Sequence, residues 1–183
     1  MLSDDSIVKL LCSDGVVLEA PVKVLKLSKT IKNILEDVPA IDEAIPMPTV
    51  NSVIMKMVID FCAYHADNPQ PNDDKELTTS DRYYEVLCDF DKEFTEMKAD
   101  PETGVVDQGM FVDLFNASDY LDVNCLHWAC AHSYAHHIKE KNTEEIRHMF
   151  GIVNDFTPEE EEQVRRENDW RKDPETDSKE DEK

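Results

Sequence analysis

The chain has 183 residues, which is enough for one domain of ordinary size with its own hydrophobic core. Asp and Glu number 41 against 19 Lys and Arg, so the formal net charge is −22. A chain this acidic repels phosphate groups, which argues against nucleic acid or an anionic membrane surface as a partner. Its four glycines leave no room for a glycine-rich phosphate-binding loop.

Two further features concern the cellular setting. The first eleven residues hold two acids and no basic cluster, unlike a secretory signal peptide, and no apolar run approaches the roughly 18 residues of a membrane span. The cysteines are odd in number and form no CxxC pair, so we expect reduced thiols in an intracellular protein. They are Cys12, Cys62, Cys88, Cys125 and Cys130.

The N-terminal third predicts a small β element followed by helices. Two β-prone segments, residues 7–12 and 16–20, flank an Asp14-Gly15 turn, which is typical of a β-hairpin. From Val22 onward the apolar residues change to helical spacing. Residues 45–48 hold two prolines and predict an edge strand or an extended link.

Helices are predicted for most of the remaining chain. Asn51 can cap a helix with a clear apolar stripe, and residues 89–97 predict a short helix. Asp107 is expected to cap the next helix, and helical spacing then continues to Ile138. Asn142, with Glu145 three residues later, predicts a further cap.

The last predicted helix is well specified at its start but has little to bury. Thr157, Pro158 and Glu160 form a capping box with proline in the first turn. Beyond them the large apolar residues are Val164 and Trp170, whose spacing does not build a stripe. Two interpretations of Trp170 stay open from the residues alone: an anchor buried in a partner, or a side chain folded back on its own domain.

Residues 125–137 hold several Cys and His side chains. His132 and His136 have the i, i+4 spacing used for zinc, but Ser133 follows His132, so no H-E-x-x-H motif is formed. Cys130 lies on the apolar stripe and is expected in the core. No G-x-S-x-G motif is present either. The residues predict surface histidines, no metal or other cofactor, and no enzyme.

Several segments carry a resemblance to a known family, the S-phase kinase-associated protein (Skp) adaptors of SCF ubiquitin ligases. They are IVKLLCSDGVVLEA (7–20), TIKNILED (30–37), PMPTVNSVIMKMVIDFCAYH (46–65), VDQGMFVDLFNASDYLDV (106–123) and TEEIRHMFGIVNDFTPEEEEQVRRENDW (143–170). Together they touch nearly the whole chain, in the family's order.

The resemblance implies an α/β (α+β) fold. A BTB/POZ-type domain, with a small N-terminal β element and a helical cluster, is expected over residues 1–122. The C-terminal dimerisation and F-box-binding helices are expected over residues 123–170. Composition predicts an acidic flexible loop at residues 66–82, an exposed insertion at residues 98–105 and a disordered acidic tail at residues 171–183.

The resemblance also implies a function: a non-catalytic adaptor, in cytoplasm and nucleus, that bridges a cullin scaffold to F-box substrate receptors in protein ubiquitination. The F-box groove of the family is lined by apolar side chains. The matching positions are Val112, Ala131, Tyr134, Ile138, Ile146, Phe150, Ile152, Phe156, Val164 and Trp170. Val112, Ala131 and Tyr134 differ in size from common family choices, which would retune the choice of F-box protein.

The cullin-binding positions implied by the resemblance are Asp119 and Tyr120. Many family members have an Asn-Tyr pair there, so Asp119 places a charge where an amide is usual. A basic cullin residue opposite Asp119 would compensate for burying it. One alternative is therefore a divergent adaptor that binds F-box proteins or self-associates through the BTB side without a cullin. A metal-dependent or thiol enzyme built on residues 125–137 ranks last.

Overall fold

The computed structural model of the chain describes residues 3–37, 43–69, 87–98, 100–106, 108–139 and 141–168. The expected hairpin is confirmed: β1 (Ile7–Cys12) pairs antiparallel with β2 (Val17–Pro21), with Lys9 opposite Glu19. Gly15 has a φ of 79°, a left-handed conformation suited to glycine in a tight turn. Alternate residues of β1 are buried, so one face of the hairpin covers the core.

The third strand is a short edge strand, as the prolines predict. β3 (Ile45–Met47) pairs in parallel with β1, and the strand order is β2-β1-β3. Ile45 and Met47 point into the core, while Pro46 between them is exposed. A proline is tolerated there because an edge strand does not need every backbone N–H for pairing.

The helical segment from Val22 consists of two helices, α1 (Val22–Leu25) and α2 (Lys29–Asp37). Residues 26–28 separate them. The hydroxyl of Ser28, the last of these, accepts a hydrogen bond from the Ile31 N–H (3.1 Å) and donates one to the Leu121 carbonyl (2.5 Å). The side chain of Ser28 therefore caps the start of α2 and ties that start to a distant part of the chain.

α3 (Ser52–Asp67) begins at the predicted cap, where Asn51 Oδ1 accepts from the Ile54 N–H at 2.9 Å. The acidic loop was predicted for residues 66–82. Its first two residues belong instead to α3, and residues 70–82 lie outside the described residues. α4 (Asp89–Phe94) confirms the short helix expected in this region.

Four more helices follow: α5 (Gln108–Tyr120), α6 (Asn124–Ile138), α7 (Thr143–Met149) and α8 (Pro158–Glu167). Capping boxes at Asn142 and Thr157 are confirmed, with reciprocal bonds from Glu145 and Glu160. Asp107, Trp170 and the predicted tail lie outside the described residues.

One apolar cluster joins the sheet to the helices. Fully buried members include Leu10 of β1, Phe61 of α3, Leu114 of α5 and Leu126 of α6. A small sheet covered by helices is the α/β arrangement that the sequence predicts. None of the helices in the described residues has the length and apolar composition needed to cross a membrane.

A second, smaller cluster fixes the C-terminal helices. Met97, Val106 and Met149 are buried in it, and the Val106 N–H donates to the Met149 carbonyl at 2.7 Å. The predicted insertion at residues 98–105 lies beside this cluster as an exposed turn, except for residue 99, which is not described. The Asp100 carboxylate accepts from the N–H groups of Glu102 and Thr103 there.

Candidate functional site

Three of the predicted F-box positions pack together between the C-terminal half of α6 and the end of α7. Tyr134 of α6 stacks on Phe150, just after α7, with ring centroids 5.6 Å apart and an interplanar angle of 12°. Ile138, one turn beyond Tyr134, packs into the same small cluster. All three side chains are half-buried, so each leaves part of its apolar surface open.

The segment after α7 exposes apolar side chains that a folded chain normally buries. Ile152 is 54% exposed, Phe156 48% and Val164 42%. Val153, which the sequence analysis did not single out, is 83% exposed. With Tyr134, Ile138 and Phe150, the residues Ile152, Phe156 and Val164 form what we call the C-terminal surface. Exposed apolar side chains of this kind are typical of a protein-binding site.

α8 buries none of its residues. Its start is nevertheless specified by the Thr157 cap. The Thr157 backbone N–H and hydroxyl both donate to the Glu160 carboxylate, at 2.9 and 3.0 Å, and hold the pKa of Glu160 below its usual value. The helix is therefore formed by local interactions, while its apolar residues stay available.

The remaining predicted F-box positions are placed less uniformly. Ala131 is half-buried on the same face of α6 as Tyr134, and Ile146 is half-buried on α7. Val112 is 43% exposed on α5, two helical turns before Asp119 and on the same side of that helix. The α5 residue whose ring faces Tyr134 is Phe111, with centroids 6.1 Å apart. Trp170 lies outside the described residues.

The predicted cullin positions lie at the end of α5, beside a cleft. Asp119 and Tyr120 are exposed, and Tyr120 lines a cleft of about 260 Å³. Asp113 and Asn116, on the same side of α5, line it from one wall, and Asn51 lines it from the start of α3. The position of this end of α5 is fixed, because the Thr30 hydroxyl donates to the Tyr120 carbonyl at 3.1 Å.

Residues 125–137 do not form a close group of metal ligands within the described part of the chain. Cys130 is fully buried, as predicted, and burial raises its pKa to about 12, which makes its thiol a poor nucleophile and ligand at neutral pH. His127 stacks on Phe115 and His132 on Trp128. His127, His132 and His137 are half-buried, so the expectation of surface histidines is wrong at these three positions, and burial lowers the pKa of His132.

Among the residues that the structure describes, a group of potential metal ligands occurs at His65, Cys88 and Asp91, whose ligand atoms lie within 4.8 Å of one another. His65 Nε2 and Asp91 Oδ1, however, are 2.7 Å apart, which is hydrogen-bond distance. Two ligand atoms on a tetrahedral zinc, each about 2 Å from the ion, are roughly 3.3 Å apart. A metal would have to break this buried hydrogen bond, so the geometry favours a structural His–Asp pair.

Comparison with known proteins bears directly on the chain's identity. Residues 6–67 match the model of the Skp1 family tetramerisation domain, and residues 126–171 match that of the Skp1 family dimerisation domain. The chain belongs to the Skp1 family.

Curated relatives of this Skp1-family chain cover almost its whole length. The SCF ubiquitin ligase complex protein SKP1a of Dictyostelium discoideum is 39% identical, over 90% of this chain and 95% of that protein. The E3 ubiquitin ligase complex SCF subunit sconC is 39% identical in Arthroderma otae, covering 91% of this chain and 94% of the relative. Its counterpart in Neosartorya fischeri is 40% identical, covering 89% and 96%.

The sequence did not single out two residues that the structure places near the proposed F-box positions. Trp128 is 38% exposed on α6, one turn before Ala131, and its i, i+3 spacing to that position could have drawn attention to it. Arg147 is only 16% exposed and contacts both α7 and α8. Its partner Glu161 lies 14 residues away, so no local pattern predicts the contact.

Proposed function

We propose that this Skp1-family chain is a non-catalytic adaptor of an SCF-type E3 ubiquitin ligase. It joins a cullin scaffold to F-box proteins, which recruit the substrates for ubiquitination. The proposal is supported by the relatives, which are named as SCF ubiquitin ligase complex proteins. The structural observation that carries it is the C-terminal surface, whose apolar side chains remain open in the chain alone.

The C-terminal surface is the proposed F-box site. Fully burying a Val, Ile or Phe side chain contributes about 1.5–3 kcal/mol, so covering Ile152, Phe156 and Val164 supplies a substantial driving force for binding. The stacked rings of Tyr134 and Phe150, both half-buried, add further apolar surface to the proposed site. Trp170 is proposed as a further anchor at this site, because tryptophan is frequent among interface hot spots.

A substitution at Val164 tests the F-box site. Val164→Lys places a charge on the proposed interface and is expected to weaken binding of a purified F-box domain at least tenfold by calorimetry. Glu162→Lys, on the opposite side of α8, is the matched control and should change the dissociation constant less than threefold. Equal effects of both variants would contradict this assignment.

The end of α5 is the proposed cullin site. Tyr120 supplies exposed aromatic surface beside a cleft, and Asp113 and Asp119 make that surface acidic. Burying a carboxylate is favourable only with a partner, so we infer that the cullin places a Lys or Arg side chain here. Tyr120→Lys should abolish binding of a cullin N-terminal domain while F-box binding is unchanged. Loss of both partners would indicate misfolding rather than a binding site.

The alternative is a divergent adaptor that self-associates or binds F-box proteins without a cullin. It has one observation in its favour: Ile7, Leu11 and Val17 leave apolar surface exposed on the outer face of the hairpin. Light scattering of the free chain over a concentration series, with Leu11→Lys as the variant, tests it. A dimer that Leu11→Lys dissociates, together with no cullin binding by the wild type, would favour this alternative.

The proposed sites divide along the chain. We propose that residues 1–122 carry the cullin-binding part and residues 123–170 the F-box-binding part, although Leu126 and Cys130 share the main core with the first part. We expect the adaptor in both cytoplasm and nucleus, and a fluorescent fusion tests this.

A further inference from the structure

The position of α8 relative to the rest of the chain is not explained by burial. Across residues 151–168, Glu161 is half-buried and every other residue is exposed. A helix that buries no residue is normally held only by its own capping and side-chain pairs, and would be free to reorient. Apart from the Thr157 cap, the side-chain hydrogen bonds that join α8 to earlier described residues all end on Glu161.

Arg147 is the centre of these contacts. Its Nη1 donates to Glu161 Oε1 of α8 at 3.2 Å and to Glu144 Oε1 of α7 at 2.9 Å. The guanidinium also lies 5.9 Å from the centroid of the Phe156 ring, within the range of a cation–π contact. The backbone carbonyl of Arg147 accepts from the Ile152 N–H at 2.8 Å.

Arg147, which belongs to α7, therefore contacts its own helix, the connecting segment and α8 at once. Its side chain is 16% exposed and that of Glu161 35% exposed, whereas the Arg166–Glu162 pair within α8 is exposed at 76% and 73%. Asn154 adds a second donor to the Glu161 carboxylate, at 3.2 Å. A partly desolvated, multiply bonded pair of this kind is stronger than an isolated surface pair.

We propose that Arg147 is a positioning residue that latches α8 onto α7 through Glu161 in the unbound chain. The latch uses polar and cation–π contacts and leaves Ile152 and Val164 uncovered. The half of this inference that concerns binding rests on the proposed F-box function; the half that concerns the position of α8 does not.

The latch sets how much of the free chain is ready to bind. If the partner binds only when α8 is docked, the apparent dissociation constant equals the intrinsic one divided by the docked fraction. Removing the Glu161 carboxylate weakens its bonds to both Arg147 and Asn154, and we expect this to leave the docked state a minority of the free chain. We therefore expect F-box binding to weaken about three- to tenfold, mainly through a slower association rate.

The position of α8 is measured first, in the full-length free chain. Residual dipolar couplings of the α8 amides should fit the same alignment as those of α7 in the wild type. In Glu161→Gln they should shrink towards zero, and Arg147→Gln combined with Glu161→Gln should add little to either single change. Glu162→Gln makes the same chemical change at the next residue and should leave the couplings unchanged. Unchanged couplings in Glu161→Gln would overturn the latch.

Binding of a purified F-box domain is measured second, on the same variants. Glu161→Gln should weaken binding three- to tenfold and Glu162→Gln less than twofold. Weaker binding with unchanged couplings would mean that Glu161 touches the partner directly, which overturns the positioning role. If the wild type binds no F-box domain, the proposed function fails, while the couplings still decide whether the latch exists.

Discussion

His65 of α3 and Asp91 of α4 form a hydrogen bond of 2.7 Å between Nε2 and Oδ1, with side chains only 3% and 0% exposed. The imidazole also contacts the Phe61 ring at a centroid distance of 4.4 Å. The pair joins two helices across residues 70–86, so it fixes where the chain returns to the core.

Removing the carboxylate of Asp91 should therefore be costly. Asp91→Ala leaves a buried imidazole without its partner, and we expect it to lower the free energy of unfolding by about 2–4 kcal/mol. Glu93→Ala, on the exposed side of α4, should cost less than about 1 kcal/mol. Urea denaturation of the three proteins measures this, and equal midpoints would show that the pair contributes nothing.

Asp119 is the residue at the proposed cullin site whose charge is most open to test. If a basic cullin residue lies opposite it, Asp119→Asn weakens cullin binding several-fold and reduces its dependence on salt. Asp60→Asn, on exposed α3 surface, changes the net charge equally and should have little effect. Tighter binding by Asp119→Asn would instead show that the charge is unpaired in the complex and opposes binding.

The start of α8 should be sensitive to acid. Donation by the Thr157 backbone N–H and hydroxyl lowers the pKa of Glu160 in the folded chain. A lowered pKa contributes stability above the unfolded pKa, and this stability is lost as the pH falls through the folded value. Carbon chemical shifts of residues 158–163 should therefore lose helical character in that acidic range. In Glu160→Gln this component should be absent, and an identical titration in the variant would refute the assignment.

The cysteines should divide into two classes of reactivity. Burial raises the pKa of Cys62 and Cys130 to about 12, and Cys12 is also buried with a raised pKa. Cys88 and Cys125 are partly exposed, and partial burial raises the pKa of Cys88 as well. Because the reagent must reach the thiolate, iodoacetamide at pH 8 should modify the accessible Cys88 and Cys125 before the three buried cysteines. Mass spectrometry of the peptides measures the order, and early modification of Cys62 would contradict it.

Local patterns in the sequence predicted local structure well. The caps at Asn51, Asn142 and Thr157 depend on residues three positions away, so the sequence shows both partners together. The edge strand around Pro46 follows from its missing N–H. Helical spacing places Tyr134 and Ile138 one turn apart on α6, but their packing with Phe150 joins α6 to the end of α7 and has no local signal.

Contacts between distant residues could not be predicted in the same way. The Ser28–Leu121 bond that ties the start of α2 joins residues 93 positions apart, and His65–Asp91 joins residues 26 positions apart. Neither has a periodic signal. Which side of α5 faces solvent likewise depends on how that helix packs, so the 43% exposure of Val112 could not be read from the sequence.

We propose that one chain binds a cullin and an F-box protein at once, through separate surfaces. Mixing the full-length chain with a cullin N-terminal domain and an F-box domain, and measuring the mass by light scattering after gel filtration, tests this. We predict a 1:1:1 complex, from which Tyr120→Lys removes only the cullin and Val164→Lys only the F-box domain. Competition between the two partners, or loss of both with either variant, would contradict the account.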